Sequence, residues 1–296
     1  MQRMVPSLWF DHTALEAAQF YASVFPDARI LDASYYPEEG LPDFQQEFAG
    51  QPLAVEFEVA GRRIVGINAG PQFRPNPSIS LMVSFDPARD PAAREHLDAA
   101  WAGLSQEGTE LMPLAEYPFS ARYGWVQDRY GVSWQLSLAD PQGEAGPGLT
   151  ACLLFGGAVQ NRAAEALEYY ADVFGGRVVM TARYPQATGP ATPDSLMFSE
   201  LEVGDDRIAL MDSGVPQGAS FTPGVSLMVE CAGQAEIDRY WDRLSAVPEA
   251  EQCGWCVDRF GVSWQVLPAN LSELTGLPGG YQKMLGMKKI EVAAFG

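Results

Sequence analysis

Apolar residues along the chain alternate between two rhythms. Residues 5–10 form a short apolar run, and the segment after it places Leu15, Ala18, Tyr21, Ala22 and Phe25 on one helical stripe that stops at Pro26-Asp27. Three extended stretches follow at 29–36, 53–59 and 63–68, with Ala60-Gly61 as a tight turn between the last two. This order, βαβββ, restarts at once: a strand at 79–85, a helix at 91–106, and strands at 109–114, 123–127 and 132–138. The second half reads alike. A strand at 151–155, a helix at 163–174 and strands at 177–184, 195–203 and 207–211 precede a strand at 225–231, a helix at 235–245 and strands at 254–257 and 262–267. The pattern predicts an α+β protein of four βαβββ modules, two in each half.

The halves also share words. Tyr123-Gly-Trp-Val-Gln-Asp-Arg-Tyr-Gly-Val-Ser-Trp-Gln135 returns as Cys253-Gly-Trp-Cys-Val-Asp-Arg-Phe-Gly-Val-Ser-Trp-Gln265. Ser80-Leu-Met-Val returns as Ser226-Leu-Met-Val, and Phe20-Tyr-Ala-Ser-Val-Phe as Tyr169-Tyr-Ala-Asp-Val-Phe, in the same order. The repeat is too long for a solenoid unit and fits a duplicated globular domain. We therefore expect domains at 1–140 and 150–268, a Pro/Gly linker at 141–149, and an extension at 269–296 that packs on a domain edge. The copies differ most between the Ser80 and Gly-Trp blocks, where the first carries extra chain including Leu111-Met-Pro-Leu-Ala-Glu-Tyr-Pro-Phe-Ser120.

Charge narrows the class. A net charge of -19 repels nucleic-acid phosphates and anionic membranes, so neither is expected as a partner. No apolar run is long enough to span a bilayer and the first residues lack a signal-peptide core, which leads us to expect a cytoplasmic location. The four cysteines all lie in the second half, and none is needed to hold together a chain of this size.

With these modules in place, Leu8-Trp-Phe-Asp11, Tyr117-Pro-Phe-Ser120 and the doubled Asp-Arg-Tyr/Phe-Gly-Val-Ser-Trp-Gln motif resemble the PhnB-like family, also catalogued as a demethylubiquinone methyltransferase domain. That family falls within the vicinal oxygen chelate (glyoxalase, bleomycin resistance, dioxygenase) superfamily. The resemblance implies cupped sheets with helices outside and a ligand inside. It also implies an internal pseudo-dimer, since single-domain relatives dimerise; a homodimer is the further option.

The superfamily's usual divalent metal is hard to build here. Matching strands to its pattern puts the metal-ligand positions near Met4, Ser80 and Gln135 in one copy and Leu149, Ser226 and Gln265 in the other. Serine and glutamine are poor neutral ligands, and His12 and His96 fall off the ligand strands, so no metal and no other cofactor is expected. Methyl transfer would call for a glycine-rich strand-to-helix turn, and the sequence has none.

Strand parity indicates what lines each cup. Ser133, Gln135 and Ser137 share a face, as do Tyr123, Trp125 and Gln127, and Ser80, Met82 and Ser84. The second copy offers Ser226, Met228, Trp255 and Gln265, with Cys253 replacing Tyr123. We expect Ser80, Met82, Tyr123, Trp125 and Gln135 to form the better ligand site, walled by the Leu111–Ser120 segment, and Ser226, Trp255 and Gln265 a shallower one. The competing reading is that Trp125 and Gln135 only fill the interior. Asp212 reads as a turn acid, Asp128-Arg129 and Asp258-Arg259 as turn and ion-pairing residues, and Cys253-Gly-Trp-Cys256 as packing rather than redox chemistry. The favoured function is metal-independent binding of a small, partly aromatic or cationic molecule, as in bleomycin-resistance proteins. The alternative is an isomerase, lyase or dioxygenase-like enzyme, for which no catalytic base can be named.

Overall fold

The computed structural model describes residues 3–141 and 146–296; residues 142–145 of the linker expected at 141–149 lie outside the described residues. Module one comprises β1 (Met4–Phe10), α1 (Ala14–Val24), β2 (Arg29–Tyr35), β3 (Pro52–Val59) and β4 (Arg62–Asn68). Module two comprises β5 (Ile79–Phe85), α2 (Ala93–Ser105), β6 (Thr109–Tyr117), β7 (Ser120–Gln127) and β8 (Ser133–Leu138). Module three comprises β9 (Leu149–Phe155), α3 (Ala163–Phe174), β10 (Arg177–Arg183), β11 (Leu196–Val203) and β12 (Asp206–Asp212). Module four has β13 (Val225–Cys231), α4 (Gln234–Leu244), β14 (Trp255–Val257) and β15 (Ser263–Pro268), so it is βαββ, one strand short of the expected pattern. Two six-residue helices, α5 (Leu271–Gly276) and α6 (Gly280–Leu285), follow.

The modules join in an order that sequence proximity does not suggest. An eight-stranded sheet runs β10-β11-β12-β9-β5-β8-β7-β6, and a seven-stranded sheet runs β14-β15-β13-β1-β4-β3-β2. Module two therefore shares a sheet with module three, and module one with module four. The joints are antiparallel: Ser80 lies opposite Cys152 where β5 meets β9, and Ser7 opposite Ser226 where β1 meets β13. Each cup draws one module from each copy, which corrects the expectation that ligand positions of one copy converge in one cup.

Within a copy, the modules meet through their helix faces. Tyr21 of α1 packs on Trp134 of β8 at 5.0 Å between ring centroids, and Tyr170 of α3 on Trp264 of β15 at 5.4 Å. Here the doubled motif is explained residue by residue. Asp128 Oδ1 accepts the Tyr130 and Val132 amides, which shapes the turn, and Gly131 occupies φ 86°. Its Oδ2 accepts from Tyr21 and Trp134 at 2.8 and 2.9 Å. Asp258 repeats this with Phe260, Val262, Tyr170 and Trp264. Arg129 and Arg259 lie over the rings of Phe20 and Tyr169, each 4.2 Å from the centroid. These aspartates are buried anchors between modules; the ion pairs expected of the Asp-Arg dipeptides are made by the arginines, Arg129 with Glu107 and Arg259 with Glu165.

The missing strand of module four is replaced in part by the chain's end. The Met287 and Lys288 carbonyls accept the Cys253 and Gly254 amides, while Ile290 and Phe295 are buried beside Leu267 and Met228. Among the described residues no helix is long and apolar enough to cross a membrane.

Candidate functional site

In both sheets one side-chain set faces the helices and the other faces away into the cup. Trp134 and Leu136, like Leu81 and Val83, belong to the helix-side core, leaving Ser133, Gln135, Ser80 and Met82 on the cup side. Register brings the cup residues together: Trp125 opposite Gln135, Met82 beside Gln135, and Ser80 beside Ser133. In the other sheet Trp255 lies opposite Gln265 and Met228 beside Gln265. Thus Ser80, Met82, Tyr123, Trp125 and Gln135 are in one cup and Ser226, Trp255 and Gln265 in the other.

The eight-stranded cup is internally satisfied. Gln135 donates to Ser80 Oγ at 2.7 Å and accepts from the Tyr123 hydroxyl at 2.6 Å, while the Trp125 indole donates to Ser133 Oγ at 2.7 Å. Burial pushes the Cys152 thiol, beside Ser80 and Gln135, up to about 12, so it stays protonated, and burial likewise raises the Tyr123 phenol. Tyr123, Trp125 and Leu154 pack together with Met112 of β6, Tyr117 and Met211. The segment around Leu111–Ser120 forms β6 and the start of β7, and its Met112 and Tyr117 side chains pack into this cup. Trp125 is only 9% exposed.

The seven-stranded cup repeats the framework but leaves its polar groups open. Gln265 donates to Ser226 Oγ at 3.0 Å. With Cys253 in the place of Tyr123, no hydroxyl reaches the Gln265 side-chain oxygen, which accepts no hydrogen bond. No bond joins Trp255 to Ser263, and Ser263 Oγ is buried without a partner. Ser7 Oγ, opposite Ser226 on β1, is likewise buried and unpartnered. Above them Trp9 meets Trp255 edge to face at 5.9 Å and Phe73 at 5.1 Å, with its indole N–H fixed to the Gly70 carbonyl at 2.7 Å. Trp9, Met228 and Trp255 remain half-buried. On the cup face Arg63 is held between Glu56, at 3.2 Å, and Glu230.

Met4 and Leu149 do not join either polar set. Alternation along the strand puts Met4 on the face opposite Ser7, and both residues lie in the helix-side core. The corresponding cup positions are Ser7 and Cys152, so the donor sets are Ser7, Ser226 and Gln265 in one cup and Cys152, Ser80 and Gln135 in the other. Neutral hydroxyls and amides, partly committed to each other, and a protonated thiol do not fit a divalent cation. His12 stacks on Phe48 at 4.5 Å and bonds Asp11, and His96 bonds Asp90; neither is bonded to the Ser and Gln residues of a cup.

Asp212 is not the solvent-facing turn acid expected from sequence. It is fully buried and accepts the Ala163 and Leu196 amides at 3.1 and 2.9 Å, holding the start of α3 where Asn68 holds the Ala14 amide in module one. Burial raises its pKa. Cys256 is buried and its thiol is pushed up to about 12; Cys253 sits at φ 52°, and both are free thiols. Sequence reasoning missed Ser7, Trp9, Phe73 and Ser263. Aligning Val5-Pro-Ser7 with Thr150-Ala-Cys152 marks Ser7 as a cup residue, but only the cross-copy pairing places it beside Ser226.

Comparison with known proteins agrees with this architecture. A sequence model of the 3-demethylubiquinone-9 3-methyltransferase family matches residues 2–137 and again 147–267. The Bacillus cereus PhnB protein is 35% identical to this chain, over 47% of it and 100% of its own length, with a TM-score of 0.40. Glyoxalase I from Zea mays has the same tandem fold at 10% identity, with a TM-score of 0.53 over 97% of this chain and 98% of that one. A search of curated proteins finds no match.

Proposed function

The chain belongs to the 3-demethylubiquinone-9 3-methyltransferase family, on the vicinal oxygen chelate fold, and from that premise we propose that it binds a small, flat, partly aromatic molecule, neutral or cationic, in the seven-stranded cup, without a metal and without chemistry. One observation carries this reading. Ser7 Oγ and Ser263 Oγ are withdrawn from water without protein partners, and the Gln265 side-chain oxygen accepts no hydrogen bond from the described residues, beside the Trp9–Trp255 pair. A ligand that donates to Gln265 and bonds the serines, with its ring against the tryptophans, would satisfy all three and bury its apolar face. The excess of carboxylates over Arg63 at the cup face favours a neutral or cationic occupant over an anion. This moves the working site from the cup around Trp125, favoured by sequence, to the cup around Trp255.

Methyl transfer is not part of the proposal. None of the strand-to-helix junctions at 11–13, 86–92, 156–162 and 232–233 carries the glycine pattern or the acidic ribose partner that an adenosyl methyl donor would use. The test is a panel of neutral, cationic and anionic aromatics screened by thermal shift and ligand-observed NMR, with mass spectrometry for turnover. For any binder, Trp255→Ala should weaken affinity by about 1–3 kcal/mol through lost apolar burial. A larger loss from Trp125→Ala at equal folding stability would return the site to the other cup, and turnover would overturn the non-catalytic reading.

A further inference from the structure

The extension after β15 does more than cover an edge. It is anchored at both ends: behind it lies β15, and ahead of it Cys253 and Gly254 donate to the Met287 and Lys288 carbonyls, Val292 N donates to Gln234 Oε1, and Ile290 is fully buried. Between these anchors the chain leaves its own module. Tyr281 of α6 packs against Tyr36, Leu41 and Phe48 in a small cluster, and its hydroxyl donates to Gln45 Oε1 at 3.1 Å. Met284 touches both this cluster and the one containing Met228 and Leu267.

Tyr36 follows β2 at one edge of the seven-stranded sheet, while Cys253 precedes β14 at the other. Residues 271–286 therefore run from one edge of the sheet to the other, and Met284 and Leu274 pack on the way against the cluster that holds the cup-face residues Met228 and Leu267.

We propose that this segment is a strap that closes the seven-stranded cup, latched by Tyr281 and able to open while its two anchors stay bound. The local structure supports separate opening. Helices α5 and α6 are six residues each, too short to be stable alone, and the hinge between them is Leu277-Pro278-Gly279, with Gly279 at φ 72°. Tyr281 is the one buried side chain in the strap, and the latch cluster is distinct from the main core. As a gate on ligand entry the strap rests on the cup-binding reading; its opening does not.

Hydrogen exchange on the full chain, without ligand, tests it. Residues 271–286 should exchange faster than the Cys253 and Gly254 amides. In Tyr281→Ala, exchange at 36–53 and at 271–286 should rise together by about tenfold or more, with Cys253 and Gly254 unchanged. Tyr281→Phe, which removes only the bond to Gln45, should give a smaller rise in the same two segments. Acrylamide quenching of the Trp255 emission, isolated by subtracting a Trp255→Phe spectrum, should increase in Tyr281→Ala. The proposal is overturned if 271–286 is as protected as β13 and β15, if Tyr281→Ala leaves 36–53 unchanged, or if loosening spreads to the Cys253 and Gly254 anchors. Because no ligand is used, each of these outcomes is separate from failure of the binding panel.

Discussion

Ser133 and Ser263 occupy equivalent positions in the two cups, and the same substitution should have different consequences at each. Ser133 Oγ accepts the Trp125 indole N–H, and that ring is nine-tenths buried. Ser133→Ala leaves the N–H without a partner and should destabilise the fold by about 1–3 kcal/mol, the usual desolvation penalty of an orphaned donor. Ser263 Oγ is equally buried but bonds nothing, so Ser263→Ala breaks no bond and relieves a dehydrated hydroxyl. Its effect should run from neutral to about 1 kcal/mol stabilising. Serine to alanine removes one atom, so cavity terms stay small and nearly cancel between the two sites. Urea unfolding of each variant, analysed at constant m, reads the difference as a shift of midpoint in opposite directions or in one variant only. Equal destabilisation by both would mean that the seven-stranded cup is as self-satisfied as the other, and the argument for a ligand there would fail.

Further outcomes follow from the same geometry. Gly124→Ala should destabilise by about 1–3 kcal/mol, since a Cβ there would lie 2.4 Å from the Trp101 ring; an unfolding midpoint like that of the wild type would contradict the packing. Asp128→Ala leaves two amides, an indole and a phenol without their acceptor and should cost about 3 kcal/mol or more, as should Asp258→Ala, both read by denaturant unfolding. Burial pushes Asp128 up to about 6, above the roughly 3.9 of an unfolded aspartate, so the fold favours its protonated form. Its contribution is full below about pH 4 and is lost as pH rises through 6. The stability difference between wild type and Asp128→Asn should accordingly shrink over that window, and a difference that grows with pH would show that the four hydrogen bonds to the carboxylate outweigh burial. Elemental analysis of purified protein should find no stoichiometric transition metal retained through mild chelation, because the Ser, Gln and protonated Cys donors lack the charge to hold one.

The fold was legible where periodicity and repetition carried it. Alternation along β5, β7 and β8 separates the cup residues Ser80, Trp125 and Gln135 from the core residues Leu81, Val126 and Trp134, because a strand must turn alternate side chains to opposite faces. Pairing between β1 and β13, and between β5 and β9, was not legible. Nothing in Ser7 or Ser226 alone records that a strand from the start of the chain lies beside one more than two hundred residues away. Local pattern specifies which face of a strand is apolar, not which of four similar modules completes its sheet. The misplacement of the metal-ligand positions at Met4 and Leu149, and of Asp212 as a turn acid, has a related cause. Each assignment depended on which groups surround the residue, and those come from distant segments: the Ala163 and Leu196 amides for Asp212, and the core between the modules for Met4.

Crossed pairing also gives duplication a physical consequence. Since each cup takes one module from each copy, the two cups diverge through substitutions in both halves. Cys253 in place of Tyr123 removes a hydroxyl from one glutamine, Trp9 in place of Leu154 adds an indole, and the lost strand of module four leaves an edge that the extension covers. In the other cup Tyr123, Trp125 and Leu154 close into a packed cluster, which ties modules two and three together and gives stability in place of an opening. Such a division lets one cup hold the assembly rigid while the other keeps unsatisfied groups that a single self-satisfied domain could not tolerate twice. Cys253→Tyr should not reverse it. Residue 253 sits at φ 52° ahead of β14, with its amide bonded to the Met287 carbonyl, whereas Tyr123 lies within β7 opposite Ser137, so a tyrosine at 253 does not aim its hydroxyl at the Gln265 oxygen as Tyr123 aims at Gln135. An unfolding midpoint at or below that of the wild type is expected, and a stabilisation of about 1 kcal/mol would show that the two cups are interchangeable at this position.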